Sequence, residues 1–381
     1  MLMAAKTRLL IVDDSALMRK HLVSMFADEG DFEIATARNG VEALMQHREF
    51  KPDVITLDVN MPEMDGLTAL SMLMTERPTA VIMVSSLTEK GAMTTLEALA
   101  LGAVDFVPKP GGTISLSIDS VRLQLLEKVR TAAKMRRRRA DLKEKNSAPQ
   151  GNVTAPVPVP AFVSAPAPVK WTPPSPAIGS LPMWPFGVVC VGVSTGGPRV
   201  LEEILPQLPE DFPWPVLVAQ HMPPTFTQAF ANRLNGLCPL EVLEVSRPMP
   251  LQPGHVYIGK GGTDMVVSNR QGVLQVLPKP ENPDLLWHPS VEALMGSVAR
   301  NLNPAQVIGV MLTGMGYDGS NAMAALKLAG ARTVAESEES ATVFGMPAEL
   351  IKKGGASIVL PASEIAKQLK FWLGSGGRRW A

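Results

Sequence analysis

Short apolar segments recur along most of this chain, and each is followed by residues with helical spacing of their apolar side chains. Before residue 149 such segments lie at 9–12, 54–57 and 81–84, and helical spacing appears for example over 91–101. Apolar segments without polar alternation are typical of parallel strands, which are buried on both faces. Right-handed crossovers then place helices on both sides of the sheet. The alternation therefore predicts an α/β fold with a doubly wound parallel sheet, and a final helix from about residue 117.

A proline-rich stretch divides the chain in two. Between Pro149 and Pro185 lie 11 of the 34 prolines, mixed with alanine, valine and serine. Such a composition neither packs into a core nor sustains helices. We therefore expect a first domain over residues 1–134, a linker over 135–184 and a second domain over 185–381.

The second half repeats the α/β pattern. Buried strands are predicted at 188–193, 216–220 and 307–313, each joined to helical segments. Glycines separate three further short apolar segments over 254–278, which predicts an excursion of β structure. This half is thus expected to be a second doubly wound, Rossmann-like domain with a β excursion.

The whole-chain composition limits the partners. Lysine plus arginine and aspartate plus glutamate both number 36, so no net charge favours nucleic acid. The two cysteines, Cys190 and Cys238, are too few for a disulfide framework or a zinc cluster. Neither a signal peptide nor an apolar run of about 18 residues is apparent. We expect a cytoplasmic protein without a nucleic-acid partner.

Acidic residues close two strands of the first half. Asp13 and Asp14 follow the first strand, and Asp58 ends the strand at 54–57. The carboxyl ends of parallel strands form one crevice, so the three carboxylates should converge and hold Mg²⁺, leaving Asp58 as a nucleophile for phosphate. Ser85 and Lys109 fall on the same edge and could hold a phosphoryl oxygen. The alternative is that Asp13 and Asp14 only cap the following helix.

These residues resemble the response-regulator receiver family. The matching motifs are Val-Asp-Asp-Ser at 12–15, Leu-Asp-Val-Asn-Met-Pro at 57–62, Asp-Gly at 65–66 and Pro-Lys-Pro at 108–110. The resemblance implies a flavodoxin-like receiver in which a histidine kinase phosphorylates Asp58. It implies a magnesium site and switch residues as follows: Asp13, Asp14, Asp58 and the Asn60 carbonyl for the metal, and Ser85, Phe106 and Lys109 for the switch.

A glycine-rich turn in the second half places a serine between a strand and a helix. Ser194 follows the strand at 188–193 and precedes Thr-Gly-Gly-Pro at 195–198. The glycines let a substrate approach, and the helix N-terminus offers N–H groups to an oxyanion. Phosphate or nucleotide binding could produce the same pattern, although no P-loop or dinucleotide motif is present.

Two further residues follow the other strands of this half. His221 ends the strand at 216–220, and Asp318 follows the strand at 307–313. One sheet edge could therefore deliver the Ser194, His221 and Asp318 side chains to one crevice as a nucleophile, a base and its orienting acid. His255, His288 and Asp264 are weaker candidates, because they precede a strand or lie in a polar turn or the β excursion.

The second half resembles the chemotaxis protein-glutamate methylesterase family. The motifs are Gly-Val-Ser-Thr-Gly-Gly-Pro at 192–198, Gln-His-Met-Pro-Pro at 220–224, Thr-Gly-Met-Gly-Tyr-Asp-Gly at 313–319 and Phe-Gly-Met-Pro at 344–347. The resemblance implies hydrolysis of glutamate γ-methyl esters on methyl-accepting receptors, with receptor glutamine deamidation, no esterase cofactor and membrane contact only through receptors. It implies that the Met315 N–H binds the oxyanion, and that the unphosphorylated receiver covers the crevice. Residues 259–264 and Glu336 depart from the family pattern.

Two other classes of function stay open at this point. A non-catalytic module would bind receptors or the kinase without releasing methanol. A DNA-binding response regulator would need a smaller, basic helix-turn-helix domain, which the α/β pattern and the neutral charge disfavour.

Overall fold

In the computed structural model, residues 6–85, 88–109, 122–135 and 183–374 are described. The predicted linker lies almost entirely outside these residues, as does the predicted start of the last receiver helix near residue 117. In the described part, no helix is long and apolar enough to cross a membrane.

The first half folds as a five-stranded parallel sheet flanked by helices. The strand order is β2-β1-β3-β4-β5, the doubly wound order of flavodoxin-like folds. Leu125 and Val129 are buried on the last helix. The elements are β1 (Thr7–Val12), α1 (Ala16–Ala27), β2 (Phe32–Ala37), α2 (Gly40–Phe50), β3 (Val54–Asp58), α3 (Gly66–Glu76), β4 (Ala80–Ser85), α4 (Glu89–Ala100), β5 (Asp105–Pro108) and α5 (122–135).

The second half contains a seven-stranded parallel sheet in the order β15-β14-β13-β6-β7-β10-β8. The prediction of two doubly wound parallel sheets is confirmed. The elements are β6 (Val188–Val193), α6 (Gly197–Ile204), β7 (Val216–Gln220), α7 (Pro224–Asn235), β8 (Glu241–Val245), β9 (Met249–Pro250), β10 (His255–Gly259), β11 (Asp264–Arg270), β12 (Val273–Lys279), α8 (Val291–Asn301), β13 (Val307–Met311), α9 (Ser320–Leu328), β14 (Arg332–Glu336), α10 (Met346–Lys352), β15 (Ile358–Leu360) and α11 (Ala362–Leu373).

The β excursion is smaller than the sequence predicted. Strands β11 and β12 form an antiparallel hairpin that pairs with the short β9. Strand β10, however, lies inside the main parallel sheet, between β7 and β8. Val256, Tyr257 and Ile258 are fully buried there. A short apolar run flanked by glycines fits either sheet, so the prediction that β10 belongs to the excursion was wrong.

The two halves pack against each other in this structure. Helix α4 of the first half contacts α7 and α6 of the second. Phe106 on β5 stacks on Phe226 of α7, with ring centroids 4.4 Å apart. Both rings are buried, so this contact extends the apolar core from one half into the other.

Candidate active site

Ser194 lies in a tight turn that joins β6 to α6. Its N–H donates to the Thr313 carbonyl at 2.9 Å, and its carbonyl accepts from the Gly197 N–H at 2.8 Å. Gly196 has a φ of +80°, and a Cβ there would lie 2.5 Å from Thr342, so this position requires glycine. The turn holds the half-buried Ser194 at the N-terminus of α6, where N–H groups are free of intrahelical partners.

His221 and Asp318 form a hydrogen-bonded pair. The backbone N–H of His221 donates to the Val193 carbonyl at 3.1 Å, which continues the pairing of β7 with β6. The Nε2 atom of the His221 ring lies 2.9 Å from Asp318 Oδ2. Its Nδ1 is buried and has no hydrogen-bond partner within the described residues, Ser194 included. One ring nitrogen is therefore held by a carboxylate, and the other is available to accept a proton.

Asp318 is surrounded by hydrogen-bond donors from the start of α8. Oδ1 accepts from the Ser290 hydroxyl at 3.0 Å and from the Glu292 N–H at 3.1 Å. Oδ2 accepts from the Val291 N–H at 2.6 Å as well as facing His221. These donors fix the carboxylate in one orientation, with an oxygen directed at the imidazole.

Met315 lies on the loop between β13 and α9, next to the serine. A Cβ at Gly314 would lie 2.7 Å from the Ser194 Cβ, so the loop approaches the serine very closely. Gly316 has a φ of +83°, which turns the chain sharply. Across the described residues, the Met315 N–H has no hydrogen-bond acceptor. This N–H is thus available to bind an oxyanion, as the family resemblance implied.

An aromatic pair covers the His221 ring, and no sequence pattern predicted it. The Trp287 ring is parallel to the His221 ring, with centroids 5.5 Å apart. Tyr317 packs its edge on Trp287 at 5.3 Å. Trp287 lies in the turn before α8, directly after two other apolar residues, Leu285 and Leu286.

Two buried polar side chains, Gln220 and Glu336, form hydrogen bonds to the backbone around Ser194. Gln220 Nε2 donates to the Ser194 carbonyl at 2.9 Å and to the His221 carbonyl at 3.1 Å. Glu336 accepts from the Thr313 N–H at 2.8 Å, and burial raises the pKa of its carboxyl group. Glu336, which departs from the family pattern, therefore fixes the loop that contacts the serine.

The weaker candidates form a pair of their own. His288 Nδ1 lies 2.9 Å from Asp264 Oδ1, which also accepts from the Ser290 N–H at 3.0 Å. Ser290 in turn donates through its hydroxyl to Asp318. Within the described residues, neither His288 nor Asp264 contacts Ser194 by a hydrogen bond. The pair instead orders the segment that leads into α8.

A cavity of about 370 Å³ opens beside Asp318, between α8, α9 and the β11–β12 hairpin. Trp287 and Tyr317 line its apolar side, and Glu292 and Arg300 contribute charge. Burial raises the pKa of Glu292 to about 7, backbone hydrogen bonds oppose this, and the Asp318 charge adds to it. Of Ser194, His221 and Asp318, Asp318 is the one that lines this cavity.

The three receiver carboxylates converge at the ends of β1 and β3. One oxygen each from Asp13, Asp14 and Asp58 lie within 4.8 Å of one another. Lys109 Nζ is 2.7 Å from Asp58 and 3.0 Å from Asp13. Burial raises the pKa of Asp58 to about 6, while Lys109 opposes this shift. Helix α1 is capped by the Ser15 hydroxyl, and Asp13 Oδ1 accepts from the Ser15 N–H at 2.9 Å. These local bonds do not account for the convergence of Asp13 with Asp58.

The remaining predicted receiver residues make separate contacts, and of these the Asn60 backbone reaches Asp58. The Asn60 N–H donates to Asp58 Oδ1 at 3.3 Å. The Ser85 hydroxyl is fully buried and donates to the Gly91 carbonyl at 3.3 Å. Phe106 points the other way and stacks on Phe226 of the second half. Of the predicted switch residues, Lys109 thus lies in the acidic cluster and Phe106 lies at the contact between the halves.

Receiver residues also contact the immediate neighbours of the serine. Asp105 on β5 accepts a hydrogen bond from the Thr195 hydroxyl and pairs with Lys128 at 2.9 Å. The Thr131 hydroxyl on α5 lies 3.0 Å from Met315 Sδ. The residue after Ser194 and the residue with the free N–H are therefore both held by the first half.

Comparisons with known proteins identify two family domains in this chain. The receiver-domain family of response regulators matches residues 9–117, and the CheB methylesterase family matches residues 189–369. The protein-glutamate methylesterase/protein-glutamine glutaminase 3 of Rhodospirillum rubrum is 54% identical over 96% of both chains. The protein-glutamate methylesterase/protein-glutamine glutaminase 2 of Rhodopseudomonas palustris is 48% identical over 96% of this chain and 98% of its own.

A solved structure, the Thermotoga maritima CheB methylesterase catalytic domain, is 36% identical, with a TM-score of 0.48. It covers 49% of this chain and 98% of its own. The two curated relatives extend over both halves and the segment between them. The chain therefore belongs to the protein-glutamate methylesterase/protein-glutamine glutaminase family, with a receiver domain preceding a CheB methylesterase domain.

Proposed function

We propose that this chain hydrolyses glutamate γ-methyl esters on methyl-accepting chemotaxis receptors, and that phosphorylation of its receiver activates the reaction. The names of its relatives supply the chemistry of the substrate. The observation that carries the proposal is the His221–Asp318 pair at 2.9 Å, next to the glycine turn that presents Ser194. A serine, a base and an orienting acid form the constellation that activates a hydroxyl for attack on an ester.

In the proposed mechanism, Ser194 Oγ attacks the γ-carbonyl carbon and its proton passes to His221 Nδ1. Asp318 orients the imidazole and stabilises its positive charge through Nε2. The Met315 N–H donates to the oxyanion. Collapse of the tetrahedral intermediate releases methanol, which takes the proton from His221. Water, activated by the same histidine, then hydrolyses the acyl-serine and regenerates Ser194 and a free carboxylate.

The same machinery would deamidate receptor glutamines, as the second part of the relatives' name indicates. The amide carbonyl is attacked in the same way, and His221 protonates the leaving amine so that ammonia departs. Neither reaction requires an esterase cofactor, since the residues at the site supply nucleophile, base and oxyanion donor.

We propose that a chemotaxis-type histidine kinase phosphorylates Asp58. Asp13, Asp14 and Asp58, with the Asn60 carbonyl, offer oxygen ligands of the kind that Mg²⁺ prefers. One oxygen from each of the three aspartates lies within 4.8 Å of the others. The metal would neutralise charge on the incoming phosphate. Lys109 and Ser85 would then hold phosphoryl oxygens.

The receiver would restrain the esterase at rest, through the Asp105–Thr195, Thr131–Met315 and Phe106–Phe226 contacts. A phosphate on Asp58 would alter the position of Lys109, Ser85 and Phe106 and so loosen this contact. We further propose the division into residues 1–134, 135–184 and 185–381, and a cytoplasmic location, where the thiols of Cys190 and Cys238 stay reduced.

The test is methanol release from receptors that carry γ-methyl esters. The full chain should release methanol, and Ser194→Ala should lower the rate by several orders of magnitude, because the nucleophile is lost. Exposed Glu364→Gln on α11 is the matched control and should keep the parent rate. If receptors bind but no methanol forms over hours, the chain is a non-catalytic module. Unchanged release by Ser194→Ala would remove the nucleophile from the mechanism.

A further inference from the structure

Two helices begin side by side at the candidate active site. Asp318 directly precedes Gly319, the N-cap of α9, and its carboxylate accepts the Val291 and Glu292 N–H groups of α8. The side chain before one helix thus caps the neighbouring helix. Helix α9 itself has no side-chain cap from its own N-cap residue, because that residue is glycine.

The Glu292 side chain, on α8, caps the start of α9. It lies in the first turn of α8, and its Oε2 accepts from the Ala322 N–H of α9 at 3.3 Å. The Gly319 N–H also interacts with this carboxyl group. The first N–H groups of a helix need such acceptors. The two acids therefore form a reciprocal clasp, in which Asp318 caps α8 and Glu292 caps α9.

The clasp leaves little freedom at the start of α9. A Cβ at Gly319 would lie 2.2 Å from Val291 Cγ1, so the two helix ends are in direct contact. Lys353 Nζ adds hydrogen bonds at 2.7 Å to Ser320 and Asn321 from the other side. The peptide that carries Asp318 is thus held between α8 and α9, and Glu292 is a side chain of α8 that binds the backbone of α9.

We propose that Glu292 is a positioning residue for the esterase, which holds the start of α9 so that Asp318 stays aligned with His221. The proposal rests on the function proposed above. Glu292 would not touch the reacting atoms. Its effect would reach the reaction only through the 2.9 Å contact between Asp318 Oδ2 and His221 Nε2.

The first test compares Glu292→Ala with Glu292→Gln in the full chain. Alanine removes the acceptor for the α9 N–H groups, whereas the glutamine carbonyl keeps it. We expect Glu292→Ala to lower kcat about 10- to 100-fold with KM changed by less than about threefold, because a small misplacement of a catalytic group costs this much. Glu292→Gln should stay within about threefold of the parent kcat. Equal losses in both variants would overturn the proposal.

A double-mutant cycle separates positioning from a merely structural role. In an Asp318→Ala background, Glu292→Ala should change kcat by less than about twofold, because the residue it positions is gone. A second loss of about tenfold or more would show that Glu292 does not act through Asp318, and would overturn the proposal. Circular dichroism of each variant verifies folding, and Glu364→Gln on α11 again serves as the control.

A second readout distinguishes this proposal from the proposed function. Ser194 labelling by a fluorophosphonate requires the activated serine but no receptor. If the full chain releases no methanol yet labels at Ser194, the proposed substrate is wrong and the labelling rates of the same variants decide the role of Glu292. Slower labelling of Glu292→Ala, restored in Glu292→Gln, supports it. Labelling at the parent rate, or no labelling of any variant, contradicts it.

Discussion

At the residue scale, Trp287 should determine how well His221 carries positive charge. Its ring lies parallel to the imidazole with centroids 5.5 Å apart, and the indole face attracts a cation. We expect Trp287→Leu to lose about 1 kcal/mol of this stabilisation, or roughly fivefold in kcat. Trp287→Phe keeps an aromatic face and should recover most of the rate; a parent kcat in Trp287→Leu would contradict this role.

The positions best predicted from the sequence were those at the ends of strands. Ser194, His221 and Asp318 each follow an apolar strand, so the sheet edge that they share was predictable from the sequence. Trp287, Ser290 and Glu292 were not predictable as site residues. They come from the turn before α8 and from its first turn, and their role depends on where α8 lies relative to β13 and α9. No spacing along the chain encodes that relation.

At the element scale, the clasp between α8 and α9 should make stability depend on pH. Burial raises the pKa of Glu292 to about 7 from an ordinary value of 4.5, with the Asp318 charge adding to the shift and Lys353 opposing it. A folded-state pKa above the unfolded value means that the folded chain binds the proton more tightly. The stability contributed by this group is therefore present at low pH and is lost as pH rises towards about 7.

Replacement by a group that does not titrate tests this sign. Relative to the parent, Glu292→Gln should gain unfolding free energy as pH rises from 5 to 8. All six tryptophans lie after residue 170, so tryptophan fluorescence during urea unfolding reports on the second half without a receiver contribution. A difference between the two proteins that is constant over this pH range would contradict the assignment.

Strand type was predictable for most elements, but neighbours in the sheet were not. Strand β10 has a fully buried apolar sequence, which fits either the parallel sheet or the excursion. Its place between β7 and β8 depends on long-range pairing. Strand β9 has only two residues, which is too short for a local sequence pattern. These residues pair with β12 of the hairpin.

At the scale of the whole molecule, the two halves share a contact that the sequence could not specify. A proline-rich linker brings two domains near each other but defines no interface. In the structure, the receiver contacts two residues close to Ser194: Asp105 accepts a hydrogen bond from Thr195, and the Thr131 hydroxyl contacts Met315 Sδ. Phe106, next to Asp105, reaches Phe226 from the same strand. A rearrangement at Asp58 that moves β5 would therefore change the contacts that the receiver makes with the Ser194 turn.

The most direct test of this account is the initial rate of methanol release by the full chain, with Mg²⁺, before and after addition of a phosphodonor. We predict that phosphorylation raises the rate by about tenfold or more, the size of a typical coupling free energy between sites. Asp58→Asn should keep the low rate under both conditions, and Arg48→Ala, which removes the ion pair of Arg48 on α2 with Glu76 on α3, should respond like the parent. Equal rates for the parent with and without stoichiometric Asp58 phosphorylation would contradict the account.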